Sequence, residues 1–161
     1  MVQDRSKPDA SNGCQAASAS LIVTSHRRLV GQPLLQASAD AEVGIALYEA
    51  PFVVVAHDTA ADPVFFYANR MAQELFEMTW DEMVRQPSRL SAEPLARTER
   101  ERLLKRVAER GYVDDYSGIR VSKTGRRFRI ERATVWNLVD ANGACVGQAA
   151  AFGTWVPLGQ T

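Results

Sequence analysis

The stretch that determines the architecture runs from residue 51 to residue 76 and reads PFVVVAHDTAADPVFFYANRMAQELF. Its first apolar run, 52–56, is rich in valine, which is typical of a strand buried on both faces. A turn-rich segment, 57–63, separates this run from a second apolar run, 64–67. Asn69 is then a favourable cap for a helix whose apolar positions recur every three or four residues. The stretch therefore predicts two strands joined by a short loop and followed by a helix.

Beyond this stretch, the apolar pattern predicts more helices and then a second set of strands. The longest helix is predicted over 95–110, and Gly111 is a typical residue to end it. Three strands follow, with turns at 124–125 and 142–143. The loops between successive strands are too short to hold crossover helices, so the strands pair antiparallel. This order predicts an α+β fold in which a five-stranded antiparallel sheet has helices on one face.

The N-terminal third of the chain divides by composition. Residues 1–19 are small and polar and predict a disordered tail. Residues 20–37 predict a helix and a linker, and residues 38–157 form the predicted domain. The N-terminal helix has an apolar face with no obvious sheet to cover, so we interpret it as a dimer or partner element. The positions on that face are Leu21, Ile22, Leu29 and Val30.

Charge is balanced in total and uneven along the chain. The chain has 19 basic and 19 acidic residues, which argues against a general nucleic-acid binder. Residues 38–82 contain nine acidic residues and one basic residue, whereas residues 83–132 contain fourteen basic and seven acidic residues. This distribution predicts two oppositely charged faces. The apolar runs are too short to span a membrane and the first twenty residues lack a signal-peptide core, so we expect a cytoplasmic location.

Several ordered strings resemble the MEKHLA domain, a family with a PAS-like fold. They are residues 51–58, 62–69, 75–80, 87–94, 118–120, 125–128, 135–138 and 147–150. The resemblance implies a PAS-like sheet preceded by N-terminal helices, and a sensory or dimerisation-modulating module without enzymatic activity, of the stand-alone bacterial type. The Met-Glu-Lys-His-Leu-Ala string that names the family is absent here, so a role tied to that segment does not carry over.

The cofactors known from PAS domains can be compared with this sequence. The only cysteines are Cys14 and Cys145, so the predicted helices that would flank a flavin offer no thiol for a covalent adduct. The helix over 95–110 has no histidine to ligate haem. The two histidines, His26 and His57, are isolated and lack metal-ligand spacing. We therefore assign no cofactor and no metal, while a noncovalent flavin or an organic ligand stays open.

A ligand pocket is predicted between the sheet and the helices. Its apolar candidates are Phe128, Ile130, Trp136 and Phe152, and its polar candidates are His57, Asn69, Asn137 and Gln148. The loop between the helices adds Arg89, as a clamp for a carboxylate, and Ser91. The alternative for these residues is an ordinary structural role: a turn, a helix cap, core packing or a surface ion pair.

The second half of the chain also predicts a surface Arg ribbon on the hairpin. Its members are Arg120, Arg126, Arg127 and Arg129. No aromatic residues alternate with these arginines as they do in a single-strand binder. The sequence therefore favours a PAS-like sensory or protein-interaction module that binds a small organic ligand and signals through a homodimer or a separate output protein. The alternatives are a small α+β-barrel enzyme, for which no catalytic group stands out, and a weak nucleic-acid-binding regulator that uses the ribbon.

Overall fold

The computed structural model describes residues 4–35, 42–92 and 94–159. The helices are α1 (Ala16–Val30), α2 (Val43–Tyr48), α3 (Arg70–Phe76), α4 (Trp80–Met83) and α5 (Pro94–Arg110). The strands are β1 (Val53–His57), β2 (Phe65–Ala68), β3 (Tyr112–Val121), β4 (Arg127–Val139), β5 (Cys145–Phe152) and β6 (Thr154–Pro157). Among these described helices, none is long and apolar enough to cross a membrane. The predicted domain boundary between residues 37 and 38 lies outside the described residues.

The strands form one antiparallel sheet in the order β2-β1-β5-β4-β3. This confirms the predicted α+β class and the antiparallel sheet with helices before it. The last predicted strand is divided at Gly153: β5 pairs with the second half of β4, and β6 pairs with Phe128 to Glu131 in its first half. The sheet therefore has a sixth strand that we did not predict.

Two predicted helix ends are confirmed, and each fixes an element near the sheet. The Oδ1 atom of Asn69 accepts hydrogen bonds from the Ala72 amide (3.1 Å), which caps α3, and from the Val54 amide (3.0 Å). The side-chain amide of Asn69 donates to the carbonyl oxygens of Leu47 and Phe52. At the end of α5, Gly111 has a φ of +94°, which glycine adopts without steric cost. Asn69 thus joins α2, β1 and α3.

The sheet has two covered faces. We call the side toward α3 and α5 the inner face; its residues include Val53, Val55, Ile130, Val135, Ala150 and Phe152. We call the side toward α1 the outer face; its residues include Val54, Ala56, Trp136, Leu138, Ala149 and Ala151. Register supports the division, because residues paired directly across neighbouring antiparallel strands point to the same face.

Helix α1 covers the outer face. Ala19 and Ile22 have no exposed surface there, and the indole Nε1 of Trp136 donates to the Ile22 carbonyl oxygen (3.1 Å). The ring of His26 packs edge-on against Trp136, with 4.7 Å between centroids. Burial lowers the pKa of His26. A hydrogen bond with the Gln32 carbonyl oxygen acts in the opposite direction and offsets only part of this effect. The expectation that the apolar face of this N-terminal helix has no sheet to cover is corrected, because α1 packs on the outer face. Ile22 is not available to a partner, whereas Leu21, Leu29 and Val30 are only partly buried.

A bulge in β4 accounts for the position of Trp136. We expected Trp136 to share a face with Phe128 and Ile130, as strict alternation requires. Arg132 has a φ of +52°, and this extra residue inverts the alternation beyond it. Ala133 therefore joins Phe128 and Ile130 in the inner-face core, and Trp136 turns outward.

The polar N-terminal segment makes defined contacts where the sequence predicts disorder. The guanidinium group of Arg5 donates to the Phe65 carbonyl oxygen (2.7 Å) and to the Oδ2 atom of Asp58 (2.6 Å). The indole Nε1 of Trp80 donates to the Arg5 carbonyl oxygen (2.9 Å). Arg5 thus forms hydrogen bonds to β2, to α4 and to the residue that follows β1.

Candidate ligand-binding cavity

A cavity of about 60 Å³ lies between the inner face and α5. Its apolar wall includes Val55, Phe65, Phe76, Leu103, Ile130, Val135 and Phe152. Its polar side chains are His57, Ser91, Tyr116, Arg120 and Gln148. A volume of this size holds about four or five ordered waters or a very small organic molecule. A mostly apolar wall with a few placed polar groups is the usual composition of a small-molecule site.

Arg120 is the cation of this cavity. Its side chain is buried, with 7% of the residue exposed. It donates to the hydroxyl of Tyr116 (2.8 Å) and to the carbonyl oxygen of Ile119 (3.0 Å). Its guanidinium carbon lies 5.3 Å from the centre of the Tyr116 ring. In the part of the chain that the structure describes, no carboxylate forms an ion pair with Arg120. The described partners of this buried positive charge are therefore neutral groups.

The register of the β3–β4 hairpin turns Arg120 inward. Arg120 pairs with Phe128 and Gly118 pairs with Ile130, so all four positions belong to the inner face. A Cβ atom on Gly118 would lie 2.6 Å from the Cζ atom of Tyr116, closer than side chains pack. The missing side chain of Gly118 thus provides the space for the Tyr116 ring, whose hydroxyl accepts from Arg120.

A row of polar residues crosses the inner face where β1, β5 and β4 lie side by side. His57 pairs with Gln148, and Gln148 pairs with Asn137. The Nε2 atom of Gln148 donates to Asn137 Oδ1 (3.0 Å), and the Asn137 amide donates to the Val107 carbonyl oxygen of α5 (3.1 Å). The Oε1 atom of Gln148 is buried and has no hydrogen-bond partner among the described residues. The cavity wall therefore contains one buried acceptor, Gln148 Oε1, for which the described residues supply no donor.

Half of the predicted pocket residues line this cavity. They are His57, Ser91, Ile130, Gln148 and Phe152. His57 also has the turn role that we gave as its alternative, because its Nδ1 atom lies 2.8 Å from the Asp58 carbonyl oxygen. Ser91 donates to the Ser88 carbonyl oxygen (2.7 Å) at the end of a 3₁₀ turn, Ser88–Ser91.

The other predicted pocket residues do not line the cavity. Asn69 is a fully bonded helix cap, and Trp136 packs under α1. Phe128 stacks edge-on against the cavity residue Phe76, at 5.4 Å between centroids. Asn137 lies behind Gln148. Arg89 is about half exposed and pairs with Asp62 at 3.0 Å, so it is the surface ion pair and not the carboxylate clamp.

The predicted Arg ribbon does not form as one surface. Arg120 points inward and Arg127 is half-buried. Arg126 and Arg129 are exposed, and each lies near a carboxylate: Arg126 is 3.6 Å from Glu77, and Arg129 is 3.2 Å from Glu131. The ribbon reading is therefore corrected at Arg120, which lies inside the protein.

The acidic and basic stretches of the chain meet at the tip of the hairpin. Hydrogen bonds from Ser122 and Thr124 lower the pKa of Glu77 below its usual range, and Arg126 adds a favourable charge. Glu82 pairs with Lys123 of the same tip. The two stretches thus neutralise each other locally here, where we expected two separate charged faces.

Sequence reasoning missed Arg120, Tyr116 and Gly118 as members of the site. No local signal marked Arg120, because a two-residue turn at 124–125 would place Arg120 opposite Arg129, on the outward side. The actual loop has three residues, 123–125, so Arg120 pairs with Phe128 instead. The contact between Gly118 and the Tyr116 side chain could not be predicted from the sequence, because it depends on the irregular register of β3 around Tyr116.

Solved structures with the same arrangement are PAS and LOV domains. A PAS domain from Colwellia psychrerythraea superposes with a TM-score of 0.59 at 16% identity, covering 66% of this chain and 88% of that one. A light-oxygen-voltage domain studied with a flavin analogue gives 0.57 at 18% identity, covering 73% and 85%. The LOV domain of the Erythrobacter litoralis EL346 blue-light activated histidine kinase gives 0.53 at 22% identity, covering 70% and 100%. The protein therefore has a PAS-type fold.

The particular family follows from the sequence. The MEKHLA domain model matches residues 16–157, and the chain belongs to the MEKHLA domain family. The match begins at the first residue of α1, so the family's domain includes the helix that covers the outer face. No curated protein matches the chain at a significant level.

A flavin does not fit this cavity. Sites for molecules of that size usually have volumes of about 300 Å³ or more, well above the volume found here. Neither of the two cysteines lines the cavity: Cys14 precedes α1, and Cys145 is exposed at the start of β5. Among the described residues there is also no cluster of three or more His, Cys, Asp or Glu side chains that could hold a metal ion.

Proposed function

We propose that this protein is a sensory module that binds a small molecule in the inner-face cavity. The observation that carries the proposal is the pair of incompletely matched polar groups in one apolar cavity: the Gln148 Oε1 acceptor and the Arg120 guanidinium. Buried polar groups are almost always hydrogen-bonded, and leaving one unpaired costs free energy. A bound ligand would supply the missing partners.

Two routes connect the cavity to other parts of the molecule. Gln148 bonds to Asn137, which bonds to the Val107 carbonyl oxygen of α5, so a ligand at Gln148 acts on the end of that helix. His57 lines the cavity, and the next residue, Asp58, holds Arg5 of the N-terminal segment. We propose that occupancy changes one or both of these contacts and that a second copy or a separate output protein reads the change.

Native mass spectrometry of protein purified from its own host tests the proposal. We expect a bound mass that is released when the protein is denatured. The variant Ala150→Leu adds volume to the cavity wall and should lose that mass while remaining folded. The matched control Ala144→Leu adds the same volume to an exposed loop and should keep the mass. Absence of a bound mass, together with no thermal stabilisation by a host metabolite extract, would overturn the proposal.

A further inference from the structure

We infer that the ligand of this cavity is a small monocarboxylate with an apolar body, and that Arg120 binds its carboxylate. The inference rests on the proposed function, because it names the class of ligand for the same cavity. It starts from a cation that is 7% exposed, lines the cavity and has no carboxylate partner in the described chain.

Arg120 has hydrogen-bonding capacity left for an anion. A guanidinium group carries five N–H donors, and the two bonds that Arg120 makes go to a hydroxyl and a backbone carbonyl, both neutral. Burying a charge without an opposite charge is costly, whereas a carboxylate takes two parallel N–H bonds from an arginine. Tyr116 fixes the side chain from the other side through its hydroxyl and ring. The group is therefore held ready in one orientation.

The rest of the cavity sets the charge and size of the ligand. Arg120 is the only lysine or arginine among the described lining residues, so one negative charge is matched and a second is not. The surrounding wall is formed by residues such as Leu103, Ile130 and Val135, which favour an apolar body. A volume of about 60 Å³ takes a molecule of about five non-hydrogen atoms, the size of propionate.

Isothermal titration calorimetry of the full chain with propionate, propionamide and propylamine tests the inference. Propionate and propionamide have nearly the same shape and differ in charge, and propylamine carries the opposite charge on the same three-carbon chain. We expect propionate to bind with a Kd below about 1 mM at low salt, at least about tenfold tighter than the other two probes. Arg120→Met keeps much of the side-chain volume and should weaken propionate binding at least about tenfold. The matched control Arg126→Gln removes an exposed charge and should leave binding unchanged.

Each result decides something. Propionamide binding as tightly as propionate would overturn the inference and leave the cavity a ligand site. No binding of any probe, with a neutral bound mass in the host-purified protein, would also overturn the inference and keep the proposed function. No binding of any probe, no bound mass and no thermal stabilisation by the host metabolite extract would overturn both. If Arg120→Met fails to fold, the comparison of the three probes on the unaltered protein still decides the question.

Discussion

The two faces of the sheet are built from similar residues, but they differ in how tightly they are packed and in how completely their polar groups are hydrogen-bonded. On the outer face, Trp136 is fully buried, its indole N–H is bonded to α1, and Ala19 and Ile22 close over it. On the inner face, the packing leaves a cavity, and the described residues provide no partner for the Gln148 Oε1 oxygen and no carboxylate for the buried Arg120. The comparison assigns stability to the outer face, and the polar groups of the inner face that lack a partner among the described residues are the basis of the proposed ligand site.

The largest expected effect is on the outer face. Trp136→Ala removes a buried indole, its hydrogen bond to Ile22 and its contact with His26. We expect the free energy of unfolding to fall by about 3–5 kcal/mol, measured by urea denaturation. The control Trp155→Ala, at a half-buried residue of β6, should cost less than half as much. A loss below about 1.5 kcal/mol for Trp136→Ala would contradict the assignment of stability to this face.

The second effect concerns the support of Arg120. Gly118→Ala places a methyl group against the Tyr116 ring and should cost about 1–3 kcal/mol of stability, because the ring has to move. It should also weaken propionate binding, since Tyr116 holds Arg120. The control is Gly153→Ala, where the nearest atom to an added Cβ lies 3.7 Å away; we expect a change within about 0.5 kcal/mol. Equal effects of both substitutions would show that Gly118 has no special role.

The third effect is at the N-terminal contact. Burial raises the pKa of Asp58, but hydrogen bonds from the Val64 amide, Arg5 and the Ala60 amide outweigh it, so its pKa lies below the usual 3.8. A lowered pKa stabilises the folded state above the usual value, and this contribution is lost as pH falls through the folded pKa. Arg5→Gln should therefore cost about 1 kcal/mol at pH 7.

Urea denaturation between pH 7 and pH 2.5 measures this dependence. The difference between the unaltered protein and Arg5→Gln should shrink as the pH falls below about 4 and Asp58 becomes protonated. The control Lys7→Gln, at an exposed residue nearby, should show no such dependence. A difference that stays constant over the whole range would mean that Arg5 does not act through the Asp58 carboxylate.

The smallest effect is expected at Arg89. Its ion pair with Asp62 is about half exposed, and exposed pairs contribute little. Arg89→Ala should change the free energy of unfolding by no more than about 0.5 kcal/mol and leave propionate binding as it is. Loss of propionate binding in this variant would restore Arg89 as the carboxylate clamp that the sequence suggested and would remove Arg120 from that role.

The sequence predicted the elements of the fold better than their faces. Valine-rich runs, Asn69 and Gly111 are local signals, and each marks the element end or strand that the structure contains. The face of Trp136 depends on one extra residue at Arg132, and periodicity alone does not indicate a bulge. The coverage of the outer face by α1 is a long-range contact that no local pattern carries.

The same distinction holds for the cavity. His57 and Gln148 were predictable, because polar residues in strands that face a core need partners. Arg120 was placed on the surface because arginines are mostly exposed, and the predicted two-residue turn at 124–125 does not correct this, since it pairs Arg120 with Arg129. The loop of three residues that the structure contains pairs Arg120 with Phe128. Arg89 is the opposite case: it was predicted in the pocket and lies at the surface, because a loop position next to a pocket does not by itself orient a side chain toward it.

The most direct test of the account is the NMR signal of the Arg120 side chain. A ¹H–¹⁵N spectrum of the arginine Nε–Hε groups would be recorded during a propionate titration, with the Arg120 signal assigned from the Arg120→Lys variant. We predict that the Arg120 signal shifts in a saturable manner, with the same Kd as in calorimetry, while the exposed Arg126 and Arg129 signals stay in place. An unchanged Arg120 signal at saturating propionate would contradict the assignment of the inner-face cavity as an anion-binding ligand site.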